Sequence, residues 1–147
     1  MTDYKREKEA GDRFSLHDAH IVDVDFGYER EVLCLIPQCG FVDTEADAMV
    51  DGEVIVTGVS PEDSYIYIME YKNVLTGNVG AFVGEKMTLA TFLDAFHSKF
   101  KAMDIMSTYH GYKNCLITGF LRRGDEDLEI YMDIFYRGDF IYRVREK

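Results

Sequence analysis

The densest group of titratable side chains in this sequence consists of His17, Asp18 and His20. Imidazole and carboxylate groups at this spacing can bind zinc or act as an acid–base pair. A zinc site needs a third and a fourth ligand, and the other two histidines, His97 and His110, are far away in the sequence. Three interpretations stay open: a turn that leads into a strand, a part of a ligand-binding site, or a metal or catalytic centre.

A second distinctive feature is a long acidic stretch. Between Arg30 and Lys72 the chain has nine Asp and Glu residues and no Lys or Arg. The formal net charge of −11 lies in the first half, since residues 1–73 hold 17 acidic and 6 basic residues and residues 74–147 hold 10 of each. Carboxylate-rich surfaces attract basic partners and raise association rates. The densest part supplies the candidate partner-binding residues: Asp43, Glu45, Asp47, Asp51 and Glu53.

Other chemical motifs are incomplete. The acids that begin at Asp43 resemble a calcium loop, but an EF-hand requires Gly at its sixth position and Glu at its twelfth. Ala48 and Val54 occupy those positions. The segment 84–88 precedes a helix but lacks the spacing of a phosphate-binding loop. These motifs therefore predict no cofactor, and the sequence assigns no metal ligands beyond the open alternative at the first cluster.

Cysteine and serine patterns also fail to indicate a nucleophile. Cys34, Cys39 and Cys115 are odd in number and show no paired spacing, which fits packing roles in a reducing compartment. No nucleophile-elbow motif is present. We therefore name no catalytic residues; enzymatic activity stays open, with a non-enzymatic protein favoured.

A tyrosine stripe marks one predicted strand. Tyr65, Tyr67 and Tyr71 alternate with Ile66, Ile68 and Glu70, so a strand would place all three tyrosines on one face. Aromatic stripes usually pack in a core, and they also line apolar pockets and protein interfaces. These tyrosines and the first cluster together make up the candidate ligand pocket: His17, Asp18, His20, Tyr65, Tyr67 and Tyr71.

The elements that must position these residues follow from hydrophobic periodicity. Alternation of period two predicts strands near 20–26, 31–37, 52–59, 64–72, 106–111, 114–122, 127–136 and 139–145. We expect a loop over 38–51, with or without a helical turn near 45–49, and a short irregular strand around 77–84. Apolar residues at helical spacing from Leu89 to Met103 predict one amphipathic helix near 88–103, with Thr88 as N-cap.

Face matching also suggests a pairing for the last two strands. A three-residue loop at 137–139 would form a hairpin in which Tyr136 pairs with Phe140 and Asp133 lies opposite Arg143. A sheet with one polar face and a helix on the other is an α+β layer architecture. We therefore expect an α+β fold of predominantly antiparallel β structure, with about eight strands in a curved sheet or partial barrel.

Length and composition set the broad class. Residues 1–12 are expected to form a flexible charged tail and residues 13–147 a single globular domain. The acidic balance opposes binding to nucleic acid or to an anionic membrane surface. The charged N-terminal residues do not resemble a signal peptide, and the longest apolar runs have only the length of a strand. These features indicate a cytoplasmic protein.

The segment Leu16-His17-Asp18-Ala19-x-Ile21, followed by a predicted strand–turn–strand pair, resembles the opening of several small bacterial β-rich families. Some of these families are described as immunity proteins of polymorphic toxin systems. The resemblance does not extend past Pro37, and members with Trp before the motif differ from this chain, which has no Trp. It implies a small, acidic, non-enzymatic protein that blocks a toxin by binding it.

Two hypotheses about function follow. The first is a cytosolic protein-binding module, of immunity type if the resemblance holds, that uses its acidic loop to bind a basic protein. The alternative is a small-ligand-binding or enzymatic domain with an aromatic pocket on the curved sheet. Self-association into a homo-oligomer is a further expectation, because aromatic strands at a sheet edge invite pairing.

Overall fold

The computed structural model describes residues 1–7, 11–76 and 79–145; within 71–80 it describes the backbone alone. Thirteen strands and one helix lie in these ranges. They are β1 Thr2–Lys5, β2 Phe14–Ser15, β3 His20–Gly27, β4 Val32–Pro37, β5 Phe41–Asp43, β6 Ala48–Val50, β7 Gly52–Val56, β8 Tyr65–Thr76, β9 Val79–Thr88, α1 Leu89–Lys99, β10 Ala102–Gly111, β11 Asn114–Arg123, β12 Glu126–Phe135 and β13 Phe140–Val144.

Ten strands form one antiparallel sheet in the order β1-β13-β7-β4-β3-β10-β11-β12-β8-β9, and β2, β5 and β6 form a smaller sheet in the order β2-β5-β6. The predicted α+β fold with predominantly antiparallel β structure is confirmed. The large sheet is not closed into a barrel. The large sheet has ten strands rather than the expected eight because the N-terminal segment adds β1 and the segment after β8 adds β9.

One face of the large sheet, here called the inner face, carries the core. Alternate residues of β11 and β12 are buried there, including Ile117 and Ile130. Helix α1 covers part of this face with the buried residues Leu89, Phe92, Leu93 and Phe96. The small sheet covers another part, where Phe14 and Phe41 pack on Tyr142 with ring centroids 5.2 and 5.1 Å apart.

The helix begins where the sequence predicts but ends earlier. Thr88 is the N-cap, and its hydroxyl oxygen accepts a hydrogen bond from the Thr91 N–H at 3.3 Å. The last helical residue is Lys99, and Phe100 has extended backbone angles. Met103, expected on the helix, belongs to β10 and is buried in the core. Its apolar side chain satisfies helical spacing and strand alternation equally well.

The predicted acidic loop over 38–51 is wrong, as is its optional helical turn. Strands β5 and β6 form a hairpin with a turn over 44–47, in which Asp47 has a positive φ of 51°. Phe41 fixes this hairpin to the core, because it is 1% exposed and packs against Phe14 and Tyr142. A buried aromatic anchor at the start of the segment thus decides its structure.

The predicted hairpin of the last two strands is also wrong. Strand β12 pairs with β11 and β8, whereas β13 pairs with β1 and β7. Asp133 therefore lies opposite Leu116 and Tyr65, and Arg143 lies opposite Glu53 and Asp3. An alternating strand only needs a partner strand whose apolar residues lie on the same face, and several strands of this chain meet that condition equally well.

Two further expectations differ from the structure. Thr2–Lys5, expected within a flexible tail, pair with β13 as an edge strand. Of the segment expected to form a short irregular strand, residues 77 and 78 lie outside the described part, and 79–84 belong instead to β9, a ten-residue strand that pairs along β8. In both cases the chain adds a strand to an otherwise unpaired edge, where backbone N–H and C=O groups gain partners.

A β-bulge changes the faces of β3. The register with β4 shifts between Ile21 and Asp23, which leaves Val22 as the extra residue. Ile21 and Val24 are consequently both fully buried, although strict alternation places them on opposite faces.

Candidate functional site

Asp43, the first acid of the candidate partner-binding set, is buried rather than available to a partner. Its side chain is 6% exposed, and it forms a two-point ion pair with Arg13, with Nη2–Oδ2 and Nε–Oδ1 distances of 3.0 and 3.2 Å. The backbone N–H groups of Glu45 and Ala46 also donate to Oδ1. The Arg13 guanidinium lowers the pKa of Asp43. Asp43 therefore holds the turn of the hairpin.

Most of the other acids in the set are also paired with arginines. Glu45 Oε2 lies 3.3 Å from Arg13 Nε, and Asp51 Oδ2 lies 3.7 Å from Arg145 Nη1. Glu53 is 15% exposed and lies within 4 Å of both Arg143 and Arg145. Asp47, on the turn, is the member without an ion pair to any described residue. Four of the five candidate acids are thus paired with arginines from outside the stretch, and the net charge of the chain stays at −11.

The structure places His17 and Asp18 in a tight turn between β2 and β3. Asp18 has a positive φ of 64°, and its N–H donates to the Ile105 carbonyl at 2.8 Å. His17 Nδ1 donates to the Met106 carbonyl at 2.6 Å. His20 lies on β3, where its Nδ1 is 2.6 Å from Asp104 Oδ1. Among the described residues no three His, Cys, Asp or Glu side chains are grouped to hold a metal ion.

Tyr65 and Tyr67 lie half-buried on the face of the sheet opposite the core, here called the outer face. The ammonium of Lys86 lies over both rings, 4.5 and 5.5 Å from their centroids. The side chain of Tyr71 lies outside the described part of the structure. Strands β10, β11 and β12 separate His20 from Tyr67. Four interstrand spacings place the two about 19 Å apart, so the candidate ligand-pocket residues do not converge.

The outer face instead joins side chains that are distant in sequence. Tyr67 pairs with Tyr131, and Tyr131 pairs with Thr118. In the next row Tyr65 pairs with Asp133, which lies opposite Leu116, and Leu116 lies opposite Tyr109. Tyr109 is 60% exposed and Tyr131 is 37% exposed. We call the following set the aromatic outer face: Tyr65, Tyr67, Met69, Tyr109, Leu116, Phe120 and Tyr131.

Carboxylates lie among these aromatic and apolar side chains. Glu129 pairs with Met69 and Phe120, and Asp133 lies between Tyr65 and Leu116. Asp104 lies opposite Phe120 at the β10 end. This surface cannot be predicted from the sequence, because only the register of four strands brings its residues together. The local signals of this face are the tyrosine stripe on β8 and the alternation of Tyr131, Asp133 and Phe135 along β12.

Comparisons of the chain with protein-family models, curated proteins and solved structures find no match. The resemblance of residues 16–21 to immunity-protein families therefore stays a prediction. Within the described ranges, no helix has both the length and the apolar character needed to cross a membrane.

Proposed function

We propose that this protein is a non-enzymatic protein-binding module whose contact surface is the aromatic outer face and whose partner is a basic protein. One observation carries the proposal: four neighbouring strands, β10, β11, β12 and β8, present aromatic and apolar side chains together on the face opposite the core. Tyrosine is enriched in protein interfaces and supplies many of their energetically dominant contacts.

The charges on this face favour a basic partner. Asp104, Glu129 and Asp133 are interspersed with the aromatic residues. Tyrosine rings attract cations through their faces, and Lys86 already uses Tyr65 in this way within the chain. Arginine and lysine side chains of a partner would find both carboxylates and ring faces here. The net charge of −11 opposes association of two copies of the chain.

The acidic hairpin has a different role in this proposal from the one expected from its sequence. Asp43 and Glu53 are mostly buried and paired, so their removal would disturb the fold rather than a contact. The overall negative field remains, and such a field accelerates the encounter with a basic partner. We therefore propose that the acids accelerate the approach of the basic partner and that the aromatic outer face forms the contact with it.

A defined basic probe tests the proposal. Hexa-arginine peptide is added to the isotope-labelled full-length protein at low salt, and backbone amide shifts are followed by NMR. We expect saturable shifts concentrated in β11, β12 and β8, which weaken as salt is raised to about 0.5 M because screening shortens the range of the charges. A hexa-glutamate peptide serves as the control and is expected to produce none.

A matched pair of variants distinguishes binding at the aromatic outer face from nonspecific attraction by the net charge of the protein. The double variant Tyr67→Ser/Tyr131→Ser removes two rings of the aromatic outer face and should weaken peptide binding about tenfold. Tyr112→Ser removes an equally large ring that is 77% exposed on the β10–β11 turn and should leave binding unchanged. Shifts confined to residues 41–50, or absent up to millimolar peptide, would refute the proposed surface. Dimerisation of the free protein through this face, seen by light scattering, would also contradict the proposal.

A further inference from the structure

A small cavity lies beside the connection between β12 and β13. It has a volume of about 120 Å³, about the share of four water molecules in the liquid. Three parts of the chain line it: Arg6 after β1, Gly111 and Lys113 at the β10–β11 turn, and residues 136–140, which lead from β12 into β13. No residue of the aromatic outer face lines the cavity. It is therefore separate from the surface proposed for protein binding.

Backbone hydrogen bonds hold these three parts together. The Tyr136 N–H donates to the Lys113 carbonyl at 3.0 Å, and the Arg6 N–H donates to the Phe140 carbonyl at 2.8 Å. The first bond joins the β10–β11 turn to the end of β12, and the second extends the pairing of β1 with β13. The cavity is thus built into the frame of the large sheet.

Two side chains at the cavity have donors that the described residues leave unused. Tyr136 is 9% exposed, and its hydroxyl has no hydrogen-bond partner among the described residues. The unpartnered atoms that are closed off from solvent are Thr108 Oγ1 and His110 Nδ1, so the Tyr136 hydroxyl is still accessible. Arg6 pairs with Asp12 through Nε alone, at 2.9 Å, and its two Nη groups donate to no described residue.

The charges around the cavity are mainly positive. Arg6, Lys113 and Arg137 line it, and neither Lys113 nor Arg137 forms an ion pair with a described residue. The charged ends of these two lie over aromatic rings, 5.3 and 5.6 Å from the centroids, which leaves their charge in place. Of the described residues that line the cavity only Asp139 is acidic, and its carboxylate lies 3.4 Å from Lys5 Nζ. In a chain with a net charge of −11, this cavity favours an anion.

The donors and charges favour an oxyanion with two negative charges. Burial raises the pKa of Tyr136, so its hydroxyl stays protonated at neutral pH and can donate. The Nη groups of Arg6 only donate, and hydrogen bonds from arginine to phosphate oxygens are among the strong ones. A tetrahedral oxyanion accepts from several directions at once. A carboxylate brings one charge and two oxygens, so it gains less from three cations.

We propose that this cavity binds a phosphate-type dianion through the Nη groups of Arg6 and the Tyr136 hydroxyl, with Lys113 and Arg137 contributing positive charge. The ligand is either inorganic phosphate or the phosphate group of a small ester whose remainder lies outside the cavity. This site is independent of the protein-binding surface, and it requires no reaction.

The test uses the isotope-labelled full-length protein at pH 8, where a phosphate group carries close to two charges. Inorganic phosphate, D-glucose 6-phosphate and acetate are titrated separately, with sodium chloride adjusted to keep the ionic strength constant. The Nε–H signal of Arg6 and the backbone amides of 136–139 are followed by NMR. We expect phosphate or its ester to shift these signals saturably, and acetate to leave them unchanged up to about 50 mM. Tighter binding of the ester would identify an esterified ligand, and tighter binding of phosphate the free anion.

Two matched pairs of variants test the assigned residues. Tyr136→Phe removes only the hydroxyl and should weaken phosphate binding about tenfold. Tyr142→Phe removes the hydroxyl of another buried tyrosine, which does not line the cavity, and should leave binding unchanged. Arg137→Gln removes one exposed charge and should weaken binding about threefold, whereas Arg30→Gln removes an exposed charge on the β3–β4 turn and should have no effect.

Three results would overturn the inference. The first is the absence of saturable shifts with both phosphate and its ester up to about 50 mM. The second is acetate binding as tight as phosphate binding, which would indicate attraction by charge alone. The third is unchanged affinity in Tyr136→Phe when its amide spectrum shows a folded protein. If that variant does not fold, Arg137→Gln decides, and an affinity equal to that of Arg30→Gln would refute the site.

Discussion

Arg13 forms a two-point ion pair with Asp43, thirty positions later in the chain, with the paired atoms 3.0 and 3.2 Å apart. This contact joins β2 to the hairpin that carries the acidic segment. The pair therefore gives Asp43, an acid of the acidic stretch, a structural role in holding the hairpin. Glu45, Asp51 and Glu53 also lie beside arginines, but at single longer distances of 3.3, 3.7 and 3.8 Å.

We predict that Asp43→Asn destabilises the protein, because it removes the charge that Arg13 and two backbone N–H groups share. The expected fall in Tm is on the order of 5 °C. Differential scanning calorimetry measures it, with Asp47→Asn as control, since Asn tolerates the positive φ at this turn. Equal Tm values for the two variants would show that the pair contributes nothing.

The same ion pair predicts an acid-sensitive fold. Arg13 lowers the pKa of Asp43 below its ordinary value of 3.8. The stabilisation is therefore complete above the unfolded-state pKa and is lost as pH falls through the lower folded-state value. In urea denaturation between pH 6 and pH 2, wild type should lose stability relative to Asp43→Asn below about pH 4. Parallel curves over that interval would contradict this prediction.

His97 should show the opposite dependence on pH. Asp23 accepts from His97 Nε2 at 2.7 Å and the Leu93 carbonyl accepts from Nδ1 at 3.1 Å, so the imidazolium is favoured and the pKa of His97 is raised above 6.5. The contribution to stability is present below pH 6.5 and is lost as pH rises through the folded-state pKa. Because the pair is exposed, about 0.5 kcal/mol or less is expected.

Asp23→Asn tests this directly. An NMR titration should find the pKa of His97 higher in wild type than in the variant, because the variant keeps only a neutral acceptor. Asp94→Asn, which removes an exposed carboxylate elsewhere on α1, should leave the titration of His97 unchanged. An unaltered His97 titration in Asp23→Asn would mean that the ion pair does not form in solution.

Thr88→Ala should lower the free energy of unfolding by about 1 kcal/mol, since it deletes the N-cap that accepts from the Thr91 N–H. Thr88→Ser keeps the accepting oxygen and should recover most of the loss. Urea denaturation monitored by circular dichroism measures both variants. If serine and alanine destabilise equally, the hydroxyl does not act as a cap.

Gly119→Ala should be the most damaging of these changes. A Cβ at this position would overlap the backbone carbonyl of Asp104 on β10, beside the register shift that follows Ile105. Separating the two strands should cost about 3 kcal/mol of stability. Gly84→Ala on β9 is the matched control, because its Cβ would meet only ordinary contacts at 3.8 Å. Chemical denaturation of both variants decides the prediction, and a Gly119→Ala protein as stable as Gly84→Ala would contradict it.

The candidate site was harder to predict than the elements around it. His17, Asp18 and His20 were recognised as a cluster, and the structure places two of them in the turn that one interpretation expected. Tyr65 and Tyr67 were recognised as sharing a face, but not as neighbours of Tyr131 and Tyr109.

What the sequence alone determined is local. Alternation marked the strands from β10 to β13, helical spacing marked α1, and Thr88 was identified as the cap, because each of these features depends on residues within a few positions of one another. The α+β class followed from that list of elements.

Only the tertiary structure decided which strands are neighbours and which charges are paired. Strand β12 could match the faces of several partners, and the choice of β11 and β8 assembled the aromatic outer face. The Arg13–Asp43 pair and the His20–Asp104 contact join residues 30 and 84 positions apart. Such pairings depend on register and burial over the whole chain, and a local pattern contains neither.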